Sequence, residues 1–415
     1  MSRACRFAFA GRSGPAEWSF DEVTLIVTPA DGRPLVFPVQ ELAGIAGDGY
    51  DLELTVPGAP AATTVAAAPS ATGRIADAAM PRLSLAKLGA EGPTLLDALQ
   101  RTWLIARAKA LRLGGSGEGK PFLGMVAVMD AAGQAAGGGT APGSPGAAEP
   151  FRALLFEDVM VVAREGRDLE PLFVALTETI TFDESAYAVH VAEWPGREFV
   201  FSRLGKQTQD LLDSLRKHRE ALANEAGTVL ASSVPSLPAG YRGVLAGDWP
   251  PGRLRPLQEM NATCPGFEQA FRGTWLAGGL RKEEGEFLLG WAGSASSWLG
   301  GSRETTEAGE GLLWLLAGKN GTWFLEALTG EDRATYHFAG GDEFPTLVSR
   351  LLCAPQFSKE ALYSPPEMLT GERADLAIAA QFLGFLVDLR AGFKGRVIHT
   401  NPEGWRKDME ALAAG

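Results

Sequence analysis

Cysteine is scarce. The chain of 415 residues has three, Cys5, Cys264 and Cys353, odd in number and far apart. Such a set builds no disulfide framework and suits a reducing cytoplasm. Cys353 falls in an apolar helical pattern, where a thiol acts as a buried, inert filler. Long apolar runs are missing too. The longest, "LAIAAQFLGFLVDL" (Leu376–Leu389), is 14 residues and contains Gln381 and Asp388, short of the roughly 20 that a membrane span requires. It is expected as a buried helix. At the N-terminus, "MSRACRFAFAGRSGPAEW" has its few apolar residues broken by Arg6, unlike the about 7–15 unbroken ones of a secretory core, so no targeting segment is expected.

Net positive charge is absent from every segment. Lys+Arg against Asp+Glu runs 11 to 11 over residues 1–113, 1 to 3 over 114–150, 9 to 14 over 151–226 and 17 to 22 over 227–415. The total is −12. Nucleic acid and anionic membranes are therefore not expected partners.

Chemistry-bearing motifs are few. "GGSGEGKP" (Gly114–Pro121) fits the spacing of a phosphate-binding loop, but a helical pattern precedes it, a strand follows, and Pro121 stands where the magnesium-binding hydroxyl belongs. It reads as a linker. Four histidines lack the HExxH or Cys/His spacing that collects a metal, and there is no GxSxG elbow for a serine nucleophile. Glu283, Glu284 and Glu286 form a solvated run. No catalytic residue, metal ligand or cofactor is expected.

What is present is a repeat. "AKLGAEGPTLLDALQRT" (Ala86–Thr102) returns 116 residues later as "SRLGKQTQDLLDSLRKH" (Ser202–His218). Leu88, Leu95, Leu96 and Leu99, like Leu204, Leu211, Leu212 and Leu215, follow i, i+7, i+8, i+11, one face of a helix. Pro93 suits a first helical position, which places Gly92 and Thr208 at the caps. Ahead of each helix lie strand-like segments in one order: "RACRFAFA" and "KPFLGMVAVM", "WSFDEVTLIV" and "RALLFEDVMVV", "LVFPVQELAGI" and "LFVALTETITF", "YDLELTV" and "YAVHVAEW", "RLSLAKLG" and "EFVFSRLG". Phe20–Val23 (Phe-Asp-Glu-Val) and Phe156–Val159 (Phe-Glu-Asp-Val) mark the same place in both. Each unit is expected as six or seven antiparallel strands closed by one amphipathic helix, which must cover its own sheet to bury its leucines.

A strand meander with one C-terminal capping helix resembles the pleckstrin-homology-like (PH-like) barrel family, particularly its bacterial members, over residues 1–113 and 120–226. The resemblance implies a protein- or peptide-binding scaffold. Phosphoinositide-binding members place basic clusters between their first two strands. Here those loops are "AGRSGPAE" and "DAAGQAAGGGTAPGSPGAAEP", with one Arg and no basic residue, so lipid binding is not carried over.

The expected fold class is α+β, mostly β: tandem PH-like barrels (1–113 and 120–226) with an α+β C-terminal region. Residues 114–119 read as a linker, 131–150 as a low-complexity insertion and 227–256 as a Pro/Gly-rich linker. Over 257–362, "LLWLLAGKNGTWFLEA" predicts a hairpin about Asn320-Gly321. A strand and a helix then follow, with Phe344, Leu347, Leu351 and Leu352 on one side, which leaves open a third, degenerate unit. Residues 363–415 read as a mainly helical tail.

Two candidate surfaces follow. Six of ten tryptophans fall between Trp249 and Trp323. Core packing accounts for most, but Trp291 and Trp298, set among Gly, Ala and Ser beside polar Ser302–Glu310, are the candidate partner surface. In "FKGRVIHTNPEGW", Arg396 and His399 beside a helix start at Pro402 are the candidate anion site; the competing reading is an ordinary helix cap. The expected function is a non-enzymatic interaction scaffold with a protein partner, and the alternative is a small-ligand or anion binder, or an enzyme, centred on Arg396 and His399.

Overall fold

The computed structural model describes residues 3–42, 44–47, 50–56, 81–113, 119–130, 148–164, 169–250, 252–273, 287–291, 312–317, 321–327, 333–354, 360–399, 404 and 407. Side chains that alternate between buried and exposed build the first unit as strands, as in β3 (Thr24–Pro29), where Leu25 and Val27 point in. Around it lie β1 (Arg3–Phe9), β2 (Arg12–Phe20), β4 (Leu35–Pro38), β5 (Gly44–Gly47), β6 (Leu52–Thr55) and β7 (Arg82–Ala86), then helix α1 (Gly92–Ala110). The antiparallel sheet has the order β4-β3-β2-β1-β7-β6-β5. Its two edge strands are consecutive in the chain, joined through one 3-10 turn at Val39–Glu41, so the sheet curls on itself.

The second unit repeats this order. Strands β8 (Lys120–Asp130), β9 (Glu149–Leu155), β10 (Val159–Arg164), β11 (Glu170–Phe173), β12 (Thr177–Asp183), β13 (Ala188–Glu193) and β14 (Arg197–Ser202) precede helix α2 (Thr208–Ser233). Their sheet runs β11-β10-β9-β8-β14-β13-β12, position for position the first order. In both units a 3-10 turn at the Leu-Gly phrase leads into the helix, which begins at Gly92 or Thr208 with Glu91 or Gln207 as cap. The caps thus sit one residue before the expected ones, and Pro93 is the second helical residue.

The other shared phrase needs a correction. Phe-Asp-Glu-Val and Phe-Glu-Asp-Val lie at hairpin turns, and they are out of step by one. Phe20 pairs with Leu25, whereas Leu155, not Phe156, pairs with Met160. Asp21 is what turns the first hairpin, its Oδ1 accepting the N–H groups of Val23 and Thr24.

Each repeat helix serves two cores. Leu95 and Leu99 of α1 close the first sheet, with Trp103 Nε1 donating to the Leu42 carbonyl at 2.8 Å. Leu104, Ala108 and Leu111, further along, belong to the core around the second sheet. In α2, Leu211, Leu212, Leu215 and Leu222 close the second sheet, and Ala226, Leu230 and Val234 enter a third cluster. The second sheet is therefore wrapped from outside, and all of Val159–Val162 is buried. Burial is continuous along Val159–Val162 and alternates along Thr24–Pro29, the difference between a sheet covered on both faces and one covered on a single face.

The C-terminal half departs from expectation. Residues 227–256 are not a linker: α2 continues through Ser233, α3 (Ala239–Asp248) packs against it, and Trp249 and Leu254 are buried. A third sheet holds β15 (Arg255–Pro256), β16 (Phe287–Trp291), β17 (Leu312–Ala317), β18 (Thr322–Ala327), β19 (Arg333–Ala339) and β20 (Phe393–His399), in simple chain order. Among the described residues that meander lacks the first-to-last strand pairing of the repeat. The expected hairpin over β17 and β18 is present. Strand β20 comes from the expected helical tail, so 363–415 is not separate from 257–362.

Helices cover this sheet on both sides. Leu288, Leu325, Tyr336 and Phe338 face α6 (Phe344–Cys353) and the helices after it, α7 (Glu360–Tyr363), α8 (Ala374–Phe382) and α9 (Gly384–Gly392). Leu289, Trp291 and Phe324 face the end of α2, α3, α4 (Leu257–Thr263) and α5 (Phe267–Phe271). The run Leu376–Leu389 is buried as two helices, α8 and α9, broken where Leu383 turns extended ahead of Gly384. No helix among the described residues is long and apolar enough to cross a membrane.

Candidate functional site

Five charged side chains meet inside the second sheet. Arg164 lies opposite Phe151, and Glu170 opposite Val162, on the sheet face that Phe199 and Phe201 line. The Arg164 side chain is 5% exposed; it pairs with Glu149 at 3.3 Å and with Glu170. Beside it, Glu193 and Arg197 pair at 2.6 Å between Nε and Oε2. Arg197 Nη2 donates to the Pro171 carbonyl at 2.5 Å and stacks over Phe199, 4.6 Å from the ring centroid. Glu193 Oε1 accepts the Phe173 N–H at 2.8 Å.

The geometry has a clear purpose. Pro171 and Phe173 are on β11, an edge of the curled sheet, and among the described residues no strand lies beyond it to take their backbone groups. Glu193 and Arg197 supply the donor and acceptor that a neighbouring strand would have supplied, because an unpaired edge is costly to bury and dangerous to expose. The first unit solves the same problem differently. By sheet register Pro38 stands where Phe173 does, so the donor is missing altogether. Pro29, Gly14, Leu35, Val56 and Pro81 occupy the places of Arg164, Glu149, Glu170, Glu193 and Arg197. None of these five is charged.

This cluster escaped the sequence reading. Its members come from five strands with no shared spacing, and only a strand-by-strand alignment of the two units would have set charge against Pro, Gly, Leu and Val. Chemically it is a set of carboxylate–guanidinium pairs. Arg164 Nε and Glu170 Oε2 are buried without a partner among the described residues.

Of the sequence candidates, Trp291 and Arg396 have described side chains, on β16 and β20. Trp291 is fully buried and its Nε1 donates to the Trp249 carbonyl at 2.9 Å. It is a core residue, which corrects its placement on a partner surface: Trp249, Phe267 and Phe271 from α3–α5 close over it from elements distant in sequence. Trp298 lies outside the described residues, as do Glu283, Glu284, Glu286 and most of the helix expected from Pro402. Arg396 is exposed on β20, its guanidinium 3.7 Å from the Tyr363 ring centroid. His399 pairs with Arg333 in the backbone register. Positions 396 and 399, three apart in the strand, fall on opposite faces of the backbone.

Other reactive groups are locked away. Burial pushes the Cys5 thiol up to about 11 and holds Cys264 and Cys353 above the ordinary thiol range, for Cys353 with help from the charges of Glu193 and Asp158. Such thiols stay protonated and unreactive. His190 Nδ1 lies 2.8 Å from Glu198 across two strands, and the equivalent pair in the first unit is Glu53 with Arg82 at 2.9 Å. The repeat keeps the cross-strand polar pair and exchanges which strand carries the carboxylate. Among the described residues no group of His, Cys, Asp and Glu is placed to hold a metal. No family model and no curated protein matches the chain.

Proposed function

We propose that this protein is a non-enzymatic interaction scaffold, built on two tandem PH-like units and working in the cytoplasm with a protein partner. One observation carries the reading. Helices α1 and α2 each begin in the core of their own unit and end in the core of the next. Three sheets are thereby tied through shared packing instead of linkers, which suits a protein that holds surfaces at fixed separations. The charged cluster of the second unit suits the reading, since Arg164, Glu193 and Arg197 are held in ion pairs and backbone bonds.

The experiment is affinity capture from the source cell, followed by reconstitution of the captured protein with purified chain. A saturable complex of fixed stoichiometry that survives about 0.15 M salt, where screening reaches about 8 Å, supports the proposal. Turnover of a small molecule by the purified chain overturns it.

A further inference from the structure

The three sheets have six edges among them, and five are blunted. Strand β4 is bracketed by Pro34 and Pro38, and β11 is stapled by Glu193 and Arg197. Helices α1 and α2 pack beside β5 and β12. Strand β15 is two residues long and lies against α4. The sixth edge is β20, seven residues long, and among the described residues no strand pairs with its outer side.

This strand has a particular chemistry. Lys394, Arg396 and Ile398 are exposed, Ile398 at 53%. Lys394 is the extra residue of a bulge, since Phe393 and Gly395 pair with the adjacent Phe338 and His337. Arg396 is held in place over Tyr363. The strand Phe393–His399 contains no acidic residue, in a chain whose net charge is −12. Bulges and edge charges of one sign discourage a second copy of the same strand, because like charges would face each other across the new ladder. The same charges favour an extended segment of opposite sign.

We infer that β20 is a docking edge for an extended acidic segment of a protein partner, which adds to the third sheet as a seventh strand. Backbone hydrogen bonds hold the segment, while Lys394 and Arg396 pair with its carboxylates. The inference rests on the scaffold reading and names the kind of partner that reading needs.

The probe is a fluorescein-labelled peptide alternating glutamate and valine, titrated with the full chain and followed by anisotropy. Two control peptides isolate the terms: one methylated on its valine nitrogens, which removes backbone donors, and one with lysine for glutamate. The expected result is saturable binding of the acidic peptide, weakened about tenfold or more by K394E/R396E, by nitrogen methylation and by lysine substitution. The double variant should stay folded and melt slightly below the wild type, losing only the contact of Arg396 with the Tyr363 ring, and should gain affinity for the lysine peptide. Equal binding of the methylated peptide would show charge capture without strand pairing and overturn the inference. So would the absence of saturable binding, or a dimer of the chain that the acidic peptide fails to dissociate. A captured partner that binds K394E/R396E as tightly as the wild type would end this inference and leave the scaffold reading standing.

Discussion

The buried carboxylate of Glu193 accepts the backbone N–H of Phe173 at 2.8 Å, doing for an edge strand what a neighbouring strand would do. Arg197 shares the task through the Pro171 carbonyl. Removing one partner of a buried pair is worse than removing both, because the survivor is left charged in a dry place. Glu193→Ala should therefore destabilise the protein by about 3–5 kcal/mol. Glu193→Val with Arg197→Met, which moves toward the apolar character of the first unit, should cost less than either single change. Urea denaturation of the three variants measures it. A double variant as unstable as the sum of the singles would mean that the two side chains act independently.

The leucine face of α2 gives a second test. Leu212 is buried between its own sheet and the shared core, and Leu212→Ala should cost about 2–5 kcal/mol. Leu96, its counterpart on α1, is only half-buried, so Leu96→Ala should cost nearer about 1 kcal/mol. Equal losses would show that the two helices close their sheets to the same degree.

These two cases also mark what the sequence makes legible. The Leu-Gly phrase and its leucines predict the helix because periodicity reports a buried face directly, and alternation marks strand-like segments in both units, although "WSFDEVTLIV" and "RALLFEDVMVV" each hold parts of two strands and a turn. The Phe-Asp-Glu-Val match misleads by one residue, because a hairpin turn is set by backbone hydrogen bonds and not by letters. Trp291 looks exposed among Gly and Ser, yet α3, α4 and α5, distant in sequence, bury it. The staple at Glu193 and Arg197 is invisible for a similar reason: its meaning depends on where β11 ends up.

Trp291 supplies a third prediction. Its indole fills the core and donates to the Trp249 carbonyl, so Trp291→Phe should lose volume and leave that carbonyl without its donor, at about 2–4 kcal/mol. A partner-binding defect larger than the loss of folded protein would return Trp291 to the partner surface. Affinity measured at a temperature where the variant is fully folded separates the two.

The last prediction concerns acid. Burial holds the imidazoles of His218 and His337 below their ordinary 6.5; for His218 the burial outweighs the opposing pull of the Phe156 carbonyl and Glu157. In the folded protein both rings resist protonation, whereas in the unfolded chain they take up protons near 6.5. Below that pH the unfolded state binds more protons than the folded one, so stability falls as pH falls from 6.5 toward the lowered folded-state values. Above 6.5 neither ring contributes a slope. Asp31 and Asp183 also titrate low, through their hydrogen bonds to Arg33 and Ser185, but their loss begins only below 3.8 and occupies a separate window. The His337 ring meets Phe324 edge to face at 5.1 Å, so His337→Phe keeps an aromatic group there and removes the proton. Urea midpoints compared at about pH 7.5 and about pH 5.5 should draw closer together in His337→Phe than in the wild type. An unchanged gap would mean that His337 is not held neutral by its burial, and the acid sensitivity would then belong to His218.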